Sequence, residues 1–178
     1  LPLPTFAQQE LPLKLREFEQ SDDFKQACPD TAFIKLKDTY NKAIEKKDPI
    51  AAALALQQMG RVCYHLGHYP QSLDFHLQAN EIFRSTGRKE LLANNLNDMG
   101  ILYYYNRQRD LARRQYQEAL SIYSELKDQA GMAVTYGKIG HICEKLQQYD
   151  SAFYFQRQAL AQYSQIDNKQ GMAKIYEN

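Results

Sequence analysis

Leu96-Asn97-Asp98-Met99-Gly100-Ile101-Leu102-Tyr103 has counterparts forty residues away on either side, Met59-Gly60 before it and Ile139-Gly140 after it. The same offset joins Ala79, Ala119 and Ala159; Phe83, Tyr123 and Tyr163; and Ala53, Ala93, Ala133 and Ala173. So many matches at one offset mark tandem structural units, each too small to bury its apolar face alone. Every unit holds two apolar stretches with helical spacing. These are divided near Gly67-His68-Tyr69-Pro70, Asn106-Arg107-Gln108-Arg109 and Gln147-Gln148-Tyr149-Asp150. Each unit therefore reads as a helical hairpin, and the chain as all-α.

The first helix of the three hairpins, helix A, is predicted over residues 50–66, 88–106 and 129–146. The second, helix B, is predicted over 70–85, 109–126 and 149–165. Pro70 suits a first turn, where its missing N–H has no intrahelical partner, and Asp110 and Asp150 favour helix starts electrostatically. Gly87 marks a stop. Two helices approach closely only where no large side chain intervenes, so Gly100 opposite Ala112, and Gly140 opposite Ala152, read as crossing points. Ala119 and Ala159 are expected to serve the next hairpin in the same way.

The bulk properties narrow the function classes. In 178 residues, 22 Lys and Arg face 21 Asp and Glu, so no whole-chain field draws the protein to nucleic acid or to an anionic membrane. No apolar run approaches the roughly 20 residues of a membrane-spanning helix. Cys28, Cys63 and Cys143 are odd in number and widely spaced, which argues against a disulfide framework or a zinc site. Tyr is abundant, at thirteen residues, and suits both half-buried helix seams and binding faces.

The repeated residues resemble the tetratricopeptide repeat family. The middle repeat carries the pattern through Leu96, Met99, Gly100, Tyr103, Ala112, Tyr116 and Ala119. The first matches through Leu56, Met59, Gly60 and Ala79 and departs at Cys63, Ser72 and His76. The third matches through Tyr136, Ile139, Gly140, Ala152 and Ala159 and departs at Cys143 and Gln156. The family period is about 34 residues; here six extra residues fall at the end of helix B and the following loop. That resembles a long forty-residue subclass found in scaffold proteins and in bacterial sensor proteins. The resemblance implies a right-handed α-α superhelix, a solenoid of antiparallel helix pairs, over residues 30–178. Its parts would be a capping helix at 30–48, repeats at 50–87, 88–128 and 129–168, and a truncated fourth repeat at 169–178.

The capping helix is expected to present Leu36, Tyr40, Ala43 and Ile44. At the other end Gly171-Met172-Ala173 repeats Gly131-Met132-Ala133, and Tyr176 repeats Tyr136. The chain is expected to stop inside a fourth helix A, leaving Met172, Ile175 and Tyr176 as an apolar strip through which a homodimer could form. Residues 1–29 read as an N-terminal extension. Thr5-Phe6-Ala7 fits the small-x-Ala pattern of a signal-peptide cleavage site, which favours an exported or periplasmic protein over a cytoplasmic one.

No catalytic spacing is present: there is no phosphate-binding glycine loop, no Gly-x-Ser-x-Gly turn and no His-Glu-x-x-His, so an enzyme is not expected, and neither is a cofactor or metal. His65, His68 and His76 fall on helix A, the turn and helix B, without a ligand spacing. Arg107, Arg109, Arg113 and Arg114, with Lys145, form a basic cluster that reads as a solvated face or, alternatively, as a surface that attracts phosphate or acidic peptide; together with the histidines it gives the alternative of a small-ligand receptor. The resemblance implies that helix A lines a concave peptide groove. Its inward positions fall on Leu54, Gln57, Gln58, Arg61, Tyr64 and His65; on Asn94, Asn97, Asp98, Ile101, Tyr104 and Tyr105; and on Val134, Lys138, His141, Glu144 and Lys145. Amides and Arg can pair with a ligand's backbone while Tyr supplies flat apolar contact. The family's carboxylate-gripping set is not met, since Gln57, Arg61, Asp98 and Val134 occupy those places. The expected function is a protein- or peptide-binding module, the input region of a longer bacterial signalling protein of the sensor kinase or transcriptional regulator type; the alternative is a cytoplasmic scaffold or adaptor.

Cys63 and Cys143 occupy one helix position two repeats apart, and at about 8–10 Å per helix layer they lie beyond the roughly 7 Å Cα separation that a disulfide tolerates. A thiol titration of the denatured, unreduced protein should therefore find both free, and a peptide map joining them within one chain would refute the stacking order.

Overall fold

The computed structural model describes residues 31–176. The extension at 1–29, with its signal-peptide reading and Cys28, lies outside the described residues. Those residues form eight helices and no strand: α1 Thr31–Glu45, α2 Pro49–His65, α3 Tyr69–Ser85, α4 Lys89–Tyr105, α5 Arg109–Leu126, α6 Gln129–Lys145, α7 Tyr149–Gln165 and α8 Lys169–Tyr176. Helix A of each repeat is thus α2, α4 or α6, and helix B is α3, α5 or α7. All six lie within one residue of their expected bounds. The chain divides into two compact units at Arg88/Lys89, a point that separates whole hairpins.

What starts and stops the helices repeats with the same period as the apolar residues. Asp48 caps α2, accepting from the backbone N–H of Ile50 at 3.1 Å and Ala51 at 3.0 Å. Asp128 and Asn168 cap α6 and α8 by accepting from Gly131 and Gly171, each side chain satisfying an otherwise orphaned donor. At the other ends, one residue per turn adopts positive φ: Lys47, Gly87, Lys127 and Asp167 between hairpins, and Gly67, Arg107 and Gln147 within them. The following N–H then bonds back five residues, as in His68 to Cys63, Gln108 to Tyr103 and Gln148 to Cys143, all at 2.9 Å. This is the left-handed helix closure that glycine favours. Five of these seven residues are not glycine.

In the first unit α2 packs between α1 and α3. Phe33, Tyr40 and Ala43 of α1, Leu56, Met59 and Cys63 of α2, and Phe75, Ala79 and Phe83 of α3 are all buried. Each of the larger side chains contributes roughly 1.5–3 kcal/mol through burial. The Phe33 and Phe75 rings lie 5.9 Å apart and tilted. A helix, α1, occupies the position expected of the cap, and its buried stripe runs through Phe33, Tyr40 and Ala43. Ile44, expected inside, is 36% exposed although helical spacing sets it on the face of Phe33 and Tyr40; it lies in the last turn of the helix.

In the second unit each helix packs on the next, α4 through α8, and α4 also touches α6. Cys143 here and Cys63 in the first unit are buried cysteines outside any disulfide. The glycines mark close helix crossings, each with a larger side chain seated against it. A Cβ at Gly100 would come within 2.6 Å of the Tyr116 ring, and one at Gly60 within 2.6 Å of the His76 ring. At Gly140 the neighbour is Gln156, whose Cγ would lie 3.1 Å away. Ala152, expected opposite Gly140, is there, its carbonyl oxygen 3.3 Å from that Cβ position, whereas the atoms nearest Gly100 belong to Tyr116 rather than to Ala112. A second set of seats, at Gly131 and Gly171, receives the rings of Tyr123 and Tyr163 from the preceding helix B.

Gly100→Leu is expected to cost about 1–3 kcal/mol or more, since its side chain must displace the buried Tyr116 ring. Gly67→Ala meets no neighbour within 4 Å and is expected to cost only about 1 kcal/mol through its positive φ. Thermal melts of both variants check this, and equal melting temperatures for Gly100→Leu and wild type would contradict the seat.

Candidate functional site

The helix-A positions singled out in the sequence form six sets forty residues apart, and the structure sorts them by exposure. In the first unit Gln57 is buried, Arg61 and Tyr64 are half-buried, and Leu54, Gln58 and His65 are exposed. The Tyr64 ring meets His65 edge-on at 5.3 Å and lies 5.8 Å from Tyr69. In the second unit Asn94, Asp98, Ile101, Tyr104, Lys138, His141 and Glu144 are half-buried, while Tyr105, Val134 and Lys145 are exposed. Asn97 is buried with only 2% of its surface exposed.

Gln57 and Asn97 therefore depart from the expectation of a solvent-facing groove residue. Asn97 turns toward the neighbouring helix A, where its Nδ2 donates to Thr135 Oγ1 at 2.9 Å and Thr135 donates on to the Gly131 carbonyl at 2.8 Å. This position ties α4 to α6. One position further round the helix, Lys138 Nζ donates to Asp98 Oδ1 at 3.0 Å, both side chains being mostly buried. Asn94 is likewise engaged, accepting from the Tyr123 hydroxyl at 2.9 Å. Burial, reinforced by the carboxylates of Asp128 and Asp98, raises the pKa of that hydroxyl and keeps it a donor. The remaining second-unit side chains give a surface of carboxylate, ammonium, imidazole and phenol groups. Tyr104 and Tyr105 meet edge to face at 5.5 Å.

His65 is exposed, His68 lies at the turn and His76 is almost fully buried against Gly60. Among the described residues no group of three His, Cys, Asp or Glu is placed to hold a metal ion. No described helix is long and apolar enough to cross a membrane. The expected apolar strip on α8 is partly covered within the chain: Ile175 Cδ1 would lie 3.1 Å from a Cβ at Gly137, and Met172 is half-buried, whereas Tyr176 is exposed.

A second feature was not anticipated. Between α5 and α7 of the second unit runs a groove of about 600 Å³. Its floor is α6, through Ile139, Ile142, Cys143 and Leu146; one wall is Arg109, Arg113 and Leu120, the other Ser151, Tyr154 and Phe155. Forty residues before Ile139 and Ile142, Met99 and Leu102 are 2% and 1% exposed, but the two isoleucines are only half-buried. Burial also raises the Cys143 thiol pKa, so that the thiol stays protonated.

Antiparallel helix pairs repeating every forty residues define a helical repeat scaffold. Residues 50–125, which span α2 to α5, match the tetratricopeptide repeat family. Two solved structures share the fold. BtubC (BKLC) from P. vanneervenii superposes with a TM-score of 0.66 at 19% identity, over 83% of this chain and 66% of its own. MamA superposes with a TM-score of 0.52 at 15% identity, over 94% of this chain and 99% of its own. At these identities the likeness is one of architecture: the chain is an all-α, tetratricopeptide-like solenoid. No curated protein sequence matches it.

The Asp98–Lys138 pair should stiffen the helix-A face. A double-mutant cycle with Asp98→Asn and Lys138→Met is expected to give a favourable coupling of about 1 kcal/mol, at the upper end for an incompletely buried pair. Additive losses in chemical denaturation would show that the pair contributes no stability.

Proposed function

We propose that this chain is a protein-interaction module that holds a peptide or protein segment on its helix-A face, and that it serves as the input region of a longer bacterial signalling protein. The observation that carries the binding reading is that the second unit's helix-A positions leave Tyr104 and Tyr105 packed edge to face on the same set of positions as the Asp98–Lys138 pair and His141. Tyr105 leaves 42% of its surface in solvent, and aromatic rings flanked by polar groups on a rigid support are the composition of binding hot spots. Rigidity comes from the Asp98–Lys138 and Asn97–Thr135 ties between α4 and α6. A face already ordered before binding loses less side-chain entropy on capture. The signalling context draws its support from the forty-residue unit and its resemblance to the repeats of bacterial sensors.

Peptides selected against the whole chain from a displayed random library test the site. Tyr105→Ala combined with His141→Ala is expected to weaken the selected peptides at least tenfold, about 1.4 kcal/mol, while Phe153→Ala on α7 leaves them unchanged. Failure to select any peptide, or selected peptides indifferent to both helix-A changes, would remove the face from consideration. The coding sequence on both sides of these residues tests the signalling context: a transmitter or DNA-binding output domain supports it, and none contradicts it.

A further inference from the structure

The α5–α7 groove differs in chemistry from the helix-A face. Its floor leaves Ile139, Ile142 and Leu146 half-buried, and the counterparts of the two isoleucines, Met99 and Leu102, are buried. Apolar surface of this kind gains free energy from any occupant that excludes water. The α7 wall is aromatic: Tyr154 and Phe155 meet edge to face at 5.2 Å, and Phe155 stacks at 6.3 Å on Tyr136 below. The opposite wall is cationic, with Arg109 and Arg113 both lining the groove and no Asp or Glu among the lining residues.

Arg113 does contact a carboxylate, that of Asp110, at 3.3 Å, with the two side chains 71% and 85% exposed. A pair so fully in water is worth little and exchanges readily for a better partner. The same flank of helix B one repeat later carries Tyr149 and Phe153 at the positions of Arg109 and Arg113. The positive wall is thus particular to this groove rather than a general property of the helix-B flank. An occupant that satisfies one apolar floor, one aromatic wall and one guanidinium wall must carry bulky apolar groups on one side and carboxylates on the adjacent side.

We propose that the α5–α7 groove binds an acidic amphipathic helix of a protein partner. Its Leu or Phe side chains rest on Ile139, Ile142 and Leu146, and its Asp or Glu side chains pair with Arg109 and Arg113. Apolar anchors at i, i+3, i+4 and i+7 laid into a groove between two helices are an established way to recognise a helix, and arginine is the side chain best shaped to receive a carboxylate. This site shares Tyr104 with the helix-A face, but neither Tyr105 nor His141, the residues changed to test that face, lines it.

The test uses the whole chain and a fluorescein-labelled helix-forming peptide of about 16 residues with Leu and Phe at that spacing and Glu along one flank. Saturable binding is expected by anisotropy, weakening as salt is raised. Replacing the Glu flank by Lys should weaken binding at least tenfold. The double variant Arg109→Glu/Arg113→Glu, whose side chains are exposed and not part of the core, should weaken the Glu peptide at least tenfold and strengthen the Lys peptide. Bound peptide should slow alkylation of Cys143, on the groove floor, and leave that of Cys63 unchanged. Absence of binding, equal binding of the two peptides, or indifference to the double variant would overturn the proposal. So would dodecanoate binding tightly where the peptide does not, which would assign the groove to a small amphiphilic anion.

Discussion

The structure depends on large side chains seated where a neighbouring helix has no side chain of its own. Gly60 lies under His76, Gly100 under Tyr116, Gly131 under Tyr123 and Gly171 under Tyr163, each with too little room for a methyl group. Two of these contacts close a hairpin and two join one hairpin to the next helix. A ring can enter such a seat only if helix lengths and turns bring it there, so the seats fix the length of the unit. The recurring positive-φ residues and the five-residue back-bonds at the turns are how the backbone meets that length each time. Tyr123 shows how far one residue is committed, since its ring covers Gly131 and its hydroxyl reaches Asn94.

The parts of the fold legible in the sequence are those where the physics leaves no substitute. Glycine under a ring, as at Gly60 and Gly100, and small residues at a tight crossing, as at Gly140, Ala79, Ala119 and Ala159, leave little room for larger side chains, so they repeat visibly and place the helices to within a residue. The turns were less legible because their requirement is softer. A left-handed residue other than glycine costs only about 1–2 kcal/mol, so Lys47, Arg107, Lys127, Gln147 and Asp167 carry no common signature. Gly131 repeated openly at Gly171, but nothing in the residues alone said which ring would cover it.

The site was less legible for a related reason. Helical spacing sorts inside from outside but does not say which flank of a helix meets the next helix A, and a rotation of some tens of degrees moves a residue from groove to seam. Asn97 fell on the seam, bonded to Thr135, whereas Asp98 and Lys138 one step away remained on the face and paired with each other. Of the α5–α7 groove only the basic wall, Arg109 and Arg113, could be read, because Ile139 and Ile142 carry the same apolar pattern as the buried Met99 and Leu102. Their exposure depends on the packing of three helices. What results is a second unit with two dissimilar surfaces, one polar and aromatic on helix A and one with an apolar helix-A floor and a cationic wall on helix B.

The claim beneath all of this is that the structural unit is forty residues long and is set by the ring seats. Removing residues 129–168, one unit, would join Asp128 to Lys169 and bring Gly171 beneath Tyr123, with Asp128 placed to cap the following helix. Removing 129–162, the roughly 34 residues of the shorter family period, would join Asp128 to Tyr163 and leave the Tyr123 ring without its seat. Circular dichroism melts of the two deletions measure the difference. A cooperative transition in the first and a broad, early loss of helix in the second is the expected result, and indistinguishable melts would contradict the forty-residue unit.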